Sequence, residues 1–353
     1  MSYAMGTMGT MGTMGTMGTM GTSASSAEAP SLMLVDALIK TRGAVVRGAS
    51  SKLRPAMRKL DQAASLSKWA PSVRLHLALF ELMGALQFST NERAQKTTLK
   101  HVSFNAGGTS LKAAPIVELV RPGSDLFKEQ LDLVISWAEL RDERASEILT
   151  QLTPQYAFWN AIAPLQLENR PRTRELIELA LSFASFVEMR FKHALACPRP
   201  HEYSRDVQPV IPTPGHGSLP SGHATEAFLV AHLLQSLLPS GEHYGQALQL
   251  LAARTSINRT VAGVHFPMDS IAGQILGQCL GEYFVCLAQG GASGWQYRSF
   301  DAAKLQRSHG KSLDFLPLQD WPLRASPVPT KLPGRATDES AVGWFWSRAR
   351  SEW

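Results

Sequence analysis

Between Arg172 and Leu287 apolar residues recur at helical spacing in four stretches, Arg172–Ala196, Gly222–Leu238, Tyr244–Val261 and Met268–Leu287. In the first, Leu176, Leu179, Ala180, Phe183, Phe186 and Val187 cover one face, and the prolines of Cys197-Pro-Arg-Pro end it. Helical patterns also run from Leu126 to Leu152 and from Tyr156 to Leu165. Several long helices must bury one another, so the expected fold class is all-α, a helical bundle.

The flanks are weaker. Leu32, Leu34, Val35, Leu38 and Ile39 can cover one helix face, and Val73–Leu86 offers another, so residues 30–125 read as an N-terminal helical layer. Within it the Val-, Thr- and Gly-rich run from Thr97 to Pro122 breaks the period and reads as a loop or short hairpin arm. Residues Met5–Thr22 repeat Met-Gly-Thr, and such a segment buries too little apolar area to offset its ordering entropy. Disorder is expected over 1–29. Beyond Gly290 the chain fills with Pro, Gly, Ser and isolated Trp, which suggests an irregular tail over 291–353 around a catalytic domain at 126–290.

Charge narrows the partner. A net charge of +6 and a pI near 9.3 suit an anionic substrate, but no basic run is interleaved with aromatics, so nucleic acid is not expected. Cys197, Cys279 and Cys286 form no CxxC pair and read as small core residues. No Lys or Arg precedes Lys40, and the most apolar segments, around Ala227–Leu238 and Ile271–Ala288, are short or broken by Gln274, Gln278 and Glu282. Neither a signal sequence nor a membrane span is expected, and the expected location is cytoplasmic.

Three polar elements interrupt the helical region in order: Lys192 seven residues before Arg199-Pro200; Pro220-Ser221-Gly222-His223; and Arg259, His265 and Asp269. Each alone is weak. Lys192 could snorkel from its helix, His223 could be a helix-start histidine, and a His four residues before an Asp is often a local hydrogen bond. Their co-occurrence within 80 residues outweighs those readings. Two guanidiniums and an ammonium can surround an oxyanion with fixed donors. Ser221 and Gly222 fall where a helix begins, so a hydroxyl and backbone N–H groups can face the anion. If the local backbone is helical, Asp269 can fix the His265 tautomer and leave the other ring nitrogen free to attack, with His223 as general acid or base.

Over about residues 126–290 these elements resemble the type 2 phosphatidic acid phosphatase/vanadium-dependent haloperoxidase superfamily, as in soluble bacterial acid phosphatases and haloperoxidases. The resemblance implies that Lys192, Arg199, Ser221, Gly222 and Arg259 bind phosphate or vanadate. It implies His223 as acid/base, His265 as nucleophile or axial vanadium ligand, and Asp269 as the group orienting it. Asn258 departs from the pattern, which usually has Ser before the Arg; an amide there can still hydrogen-bond.

Two reaction classes follow from the resemblance. A vanadate-dependent haloperoxidase would hold vanadate on His265 and oxidise bromide or iodide with hydrogen peroxide. An acid phosphatase or diphosphatase would pass through a phosphohistidine at His265 and need no cofactor. His216, seven residues before His223, stands where bromo- and iodoperoxidases carry a second histidine and favours the first; short intervals between the motifs favour the second. Partners are thus small molecules (halide and peroxide, or a phosphate ester), and a homo-oligomer is compatible with the sequence. A third class, a non-catalytic anion-binding or assembly protein, fits least because both histidines and Asp269 are intact.

Overall fold

The computed structural model describes residues 31–45, 57, 60–104, 111–291, 293–309, 313–317, 326–328 and 339–353. The disorder expected over 1–29 lies outside the described residues.

Helix α1 (Leu32–Val45) is followed by a 3-10 turn (Ala63–Lys68) and α2 (Pro71–Gly84). Strands β1 (Leu86–Asn91), β2 (Lys96–Phe104) and β3 (Leu111–Val120) come next. Short helices α3 (Ser124–Glu129), α4 (Leu131–Trp137), α5 (Arg141–Thr150) and α6 (Tyr156–Ile162) lead to the long α7 (Pro171–Leu195) and the single turn α8 (Pro200–Tyr203). Helices α9 (Gly222–Leu237), α10 (Gly241–Val261) and α11 (Pro267–Ala288) complete the central bundle. The chain then adds β4 (Trp295–Phe300), α12 (Ala302–His309), β5 (Ser326–Val328) and α13 (Ala341–Arg350).

The all-α expectation is therefore corrected. The helices pack against a mixed sheet of order β1-β2-β3-β4-β5, in which β3 and β4 run parallel and the other pairs antiparallel. Local pattern hides this sheet for two reasons. Opposite Leu99 and Lys100 the register slips, Leu99 pairing with Val117 and Lys100 with Pro115, so Ile116 is bulged. Ile116 and Val117 are consequently both buried, which breaks strict alternation, and Pro115 sits beside the bulge where a missing N–H is tolerated. The β3–β4 pairing, with Val117 opposite Arg298, joins residues far apart in sequence, which no local window sees.

The C-terminal region is likewise ordered where described. Trp344, Phe345 and Trp346 of α13 are buried, and the Glu352 carboxylate accepts the backbone N–H groups of Arg172 and Thr173, each at 2.8 Å, at the N-terminus of α7. An acceptor there meets unsatisfied donors and the positive end of the helix dipole. The helical pattern read over Leu126–Leu152 is divided among α3, α4 and α5, with a 3-10 turn at Ala138–Leu140, so that α5 ends at a corner beside α10.

Helix α9 packs between α11, α10 and α7. The approach of α11 is close enough that a Cβ on Gly273 would lie 2.6 Å from both Ala224 Cβ and Ser221 O. The absence of a side chain there lets the start of α11 lie against the start of α9. Among the described residues, α11 alone is long and apolar enough to cross a membrane, and most of its apolar window is buried inside the fold.

Candidate active site

Lys192 lies in the last turn of α7, which stops at Ala196 in the left-handed conformation. The chain then turns through Pro198 to Arg199, which begins α8. Ser221 is the N-cap of α9; its Oγ accepts from Ala224 N–H at 3.5 Å, and its own N–H donates to Asp269 O at 2.9 Å. Arg259 is in the last turn of α10. Gly263, at a φ of +80°, reverses the chain in a conformation that side-chain-bearing residues seldom adopt and delivers His265 to the start of α11. Asp269 Oδ2 accepts Phe266 N–H at 2.9 Å and lies 3.2 Å from His265 Nδ1. The helix start fixes the carboxylate, the carboxylate fixes the imidazole, and Nε2 is left for an electrophile or ligand.

All nine residues singled out by sequence (Lys192, Arg199, His216, Ser221, Gly222, His223, Arg259, His265 and Asp269) are brought to one region, and all but His216 are buried. Their charges are near enough to shift one another: Lys192 and Arg199 act on both His223 and His265. The cations are held by carbonyls. Lys192 Nζ donates to Gly217 O at 3.3 Å and Ser218 O at 3.2 Å, and Arg199 donates to His216 O at 3.0 Å and Val264 O at 2.7 Å. Arg259 Nη2 donates to Ile148 O and Gln151 Oε1, both at 3.1 Å, while its buried Nε has no partner among the described residues.

His223 Nε2 lies 3.0 Å from Gln151 O and 3.5 Å from Arg259 Nη1. His216 Nδ1 lies 3.2 Å from both Arg199 Nη2, which only donates, and Gly217 O, which only accepts, and its Nε2 is buried with no partner among the described residues. Burial and the neighbouring cations push His223 and His265 well below the ordinary histidine value, and His216 down to about 4. Burial likewise lowers Lys192 to about 8 against the opposing pull of Glu188, and raises Asp269 to about 7 against the Phe266 N–H and the cations. Three neutral imidazoles stand beside Lys192 and Arg199, on which Asp269 and Glu188 act, and beside Arg259, on which burial alone acts, so the site offers an anion three fixed basic donors.

Some site residues carried no readable signal. Gln151, at the corner after α5, is buried against Arg259 and His223 from outside every motif. Glu226, one turn beyond His223, lines with it a narrow cleft that Thr153, Gln155 and Trp159 also line. Burial, and then Glu188, raise the Glu226 carboxyl well above its usual range. Asn258 did give a signal, as the one departure from the family pattern. Its Nδ2 donates to Gln151 Oε1 at 3.0 Å and to Glu147 Oε2 at 3.1 Å, contacts that a serine hydroxyl, with its single proton, cannot make together.

Residues 176–290 match the family model of the PAP2 superfamily. The chain carries a PAP2 superfamily domain. The match begins within α7 and ends just past α11, so it spans every sequence-predicted site residue and leaves Gln151, β1–β3 and α13 outside. Phosphatase- or haloperoxidase-type activity is thereby supported in general terms. No curated protein matches the chain.

Proposed function

We propose that this PAP2 domain is a vanadate-dependent haloperoxidase that oxidises bromide or iodide with hydrogen peroxide. The observation that carries the reading is the position of His216, whose ring lies against Arg199 and whose buried Nε2 has no partner among the described residues. The residues fit a bound vanadate. Arg259 Nε is a buried donor in need of an acceptor, His216 Nε2 is a buried ring nitrogen with no partner among the described residues, Lys192 and Arg199 add charge, and Asp269 holds His265 so that Nε2 is free to serve as a ligand. When bound, vanadate would supply a Lewis-acidic centre that activates peroxide toward halide. The protein's part is to neutralise the anion with fixed donors, to keep His265 neutral and oriented, and to place His223 where it can take or return a proton.

A second reading, acid phosphatase or diphosphatase, is favoured by the short intervals between the motifs. In it His265 Nε2 attacks phosphorus, His223 protonates the departing alcohol, and water releases phosphate from the phosphohistidine.

A paired assay on the purified protein separates the two. Phosphate-monoester hydrolysis is measured without additions, and bromide- and iodide-dependent halogenation with peroxide after adding orthovanadate. Vanadate-dependent halogenation, lowered severalfold more by His216→Ala than any hydrolysis is, supports the first reading. Robust hydrolysis that vanadate merely inhibits, with no halogenation, sinks it in favour of the second.

A further inference from the structure

We propose that Gln151 is an additional oxyanion donor, its side-chain amide presenting Nε2–H to the anion on the side that His223 faces. The proposal rests on the oxyanion-binding reading of the site and adds a donor from outside the matched family segment.

The orientation of the amide follows from a chain of hydrogen bonds in which each partner has one permitted role. Arg144 Nη1 donates to Asn258 Oδ1 at 3.2 Å, because a guanidinium cannot accept. Asn258 therefore turns its Nδ2 toward Glu147 Oε2, an acceptor, and toward Gln151. Gln151 meets that donor and Arg259 Nη2 with the same oxygen, Oε1. A flipped Gln151 amide would set N–H against N–H at both contacts. Its Nε2 consequently points away from the network, buried and with no hydrogen-bond partner among the described residues.

A buried donor without an acceptor is uncommon and destabilising in a folded protein. This one belongs to a residue whose Oε1 holds Arg259 and whose backbone carbonyl lies on His223 Nε2, and which lines the same cleft as His223. An amide held by an arginine, beside the acid/base histidine, is pre-oriented as anion donors in catalytic pockets are. The departure at Asn258 then has a use: it locks the amide of Gln151.

Calorimetric titration of the full chain with inorganic phosphate and with orthovanadate tests the assignment. Gln151→Met, similar in size and without a donor, should bind both anions at least about tenfold more weakly, the loss expected for one hydrogen bond to a charged group, and should also melt at a lower temperature because Arg259 and Asn258 lose their acceptor. Gln151→Glu keeps the acceptor for Arg259 and Asn258 but sets a negative charge toward the anion. It should bind more weakly still at neutral pH and recover toward wild type as the carboxyl protonates, which a merely structural role would not produce. Should the Met variant fail to fold, the Glu variant decides alone. Binding by the foldable Gln151 variants within about twofold of wild type, while Arg259→Met loses binding, overturns the donor and leaves the site reading standing. Failure of the wild-type protein to bind either anion overturns both.

Discussion

Arg74 and Arg259 are both buried, at 4% and 0% exposure, yet their surroundings are opposite. Arg74, on α2, forms a two-pronged pair with Glu175, Nε donating to Oε2 at 2.8 Å and Nη2 to Oε1. Arg172 joins the same carboxylate at 2.9 Å, and both guanidiniums lie beside the ring of Trp344. Among the described residues Arg259 hydrogen-bonds or approaches only neutral groups, the carbonyl of Ile148, the amide oxygen of Gln151 and the ring of His223. Its titration is displaced downward by burial with no carboxylate opposing. A buried cation with a carboxylate is part of the scaffold; a buried cation without one is held ready for an anion that the fold itself does not supply.

The largest expected effect tests whether the region around Arg259 is chemical rather than merely charged. His265→Ala should lower turnover, in whichever assay the wild-type protein is active, by at least about 10³-fold, since removal of a reacting group leaves only binding and electrostatic contributions. Near-wild-type turnover would show that the reacting group lies elsewhere.

The next effects sharpen the contrast between the two arginines. Arg259→Met should weaken phosphate binding roughly a hundredfold without lowering the melting temperature, because a costly buried charge is removed together with its function. Arg74→Met should do the reverse, lowering stability by about 3 kcal/mol through an undercompensated Glu175 while phosphate affinity stays at wild type. Calorimetry and thermal unfolding on the same two variants decide. If both lose stability alike, Arg259 is scaffold and the distinction collapses.

The legibility of these regions from sequence follows the same division. The helices of the bundle could be read because α7 and α9 to α11 carry their apolar pattern within each segment, and the motif residues stand at their ends where prolines and glycines mark the breaks. The sheet could not, because the bulge at Ile116 and the parallel pairing of β3 with β4 are settled by contacts between distant segments. Trp344 and Trp346 looked like isolated aromatics in a tail, since the helix they belong to is short and gains its meaning only against α7 and α2. In the site, charged residues announced themselves by spacing, whereas Gln151 is a neutral residue at a helix corner with no spacing rule. Its only trace was the amide at position 258.

The smallest effect concerns the ammonium of Lys192, which burial brings down to about 8 despite Glu188 acting the other way. Phosphate is a dianion from just above neutrality, so its own charge is constant over the range that matters. The anion is attracted to protonated Lys192, and a neutral amine at that position offers it no charge. Affinity should therefore be level just below pH 8, where phosphate and Asp269 are both already ionised, and fall above it, by up to about tenfold for each further unit, as the free site gives up the proton that binding would have retained. Arg199 and Arg259 also sit below their ordinary values, but a guanidinium stays charged where an amine does not, so the fall belongs to Lys192. Lys192→Arg should then carry the level region to higher pH even if the larger head lowers affinity throughout. A wild-type profile that stays flat to pH 10 would mean that carbonyl contacts from Gly217 and Ser218 outweigh burial and keep the ammonium protonated, and Lys192 would then resemble the compensated Arg74 more than the exposed-to-anion Arg259.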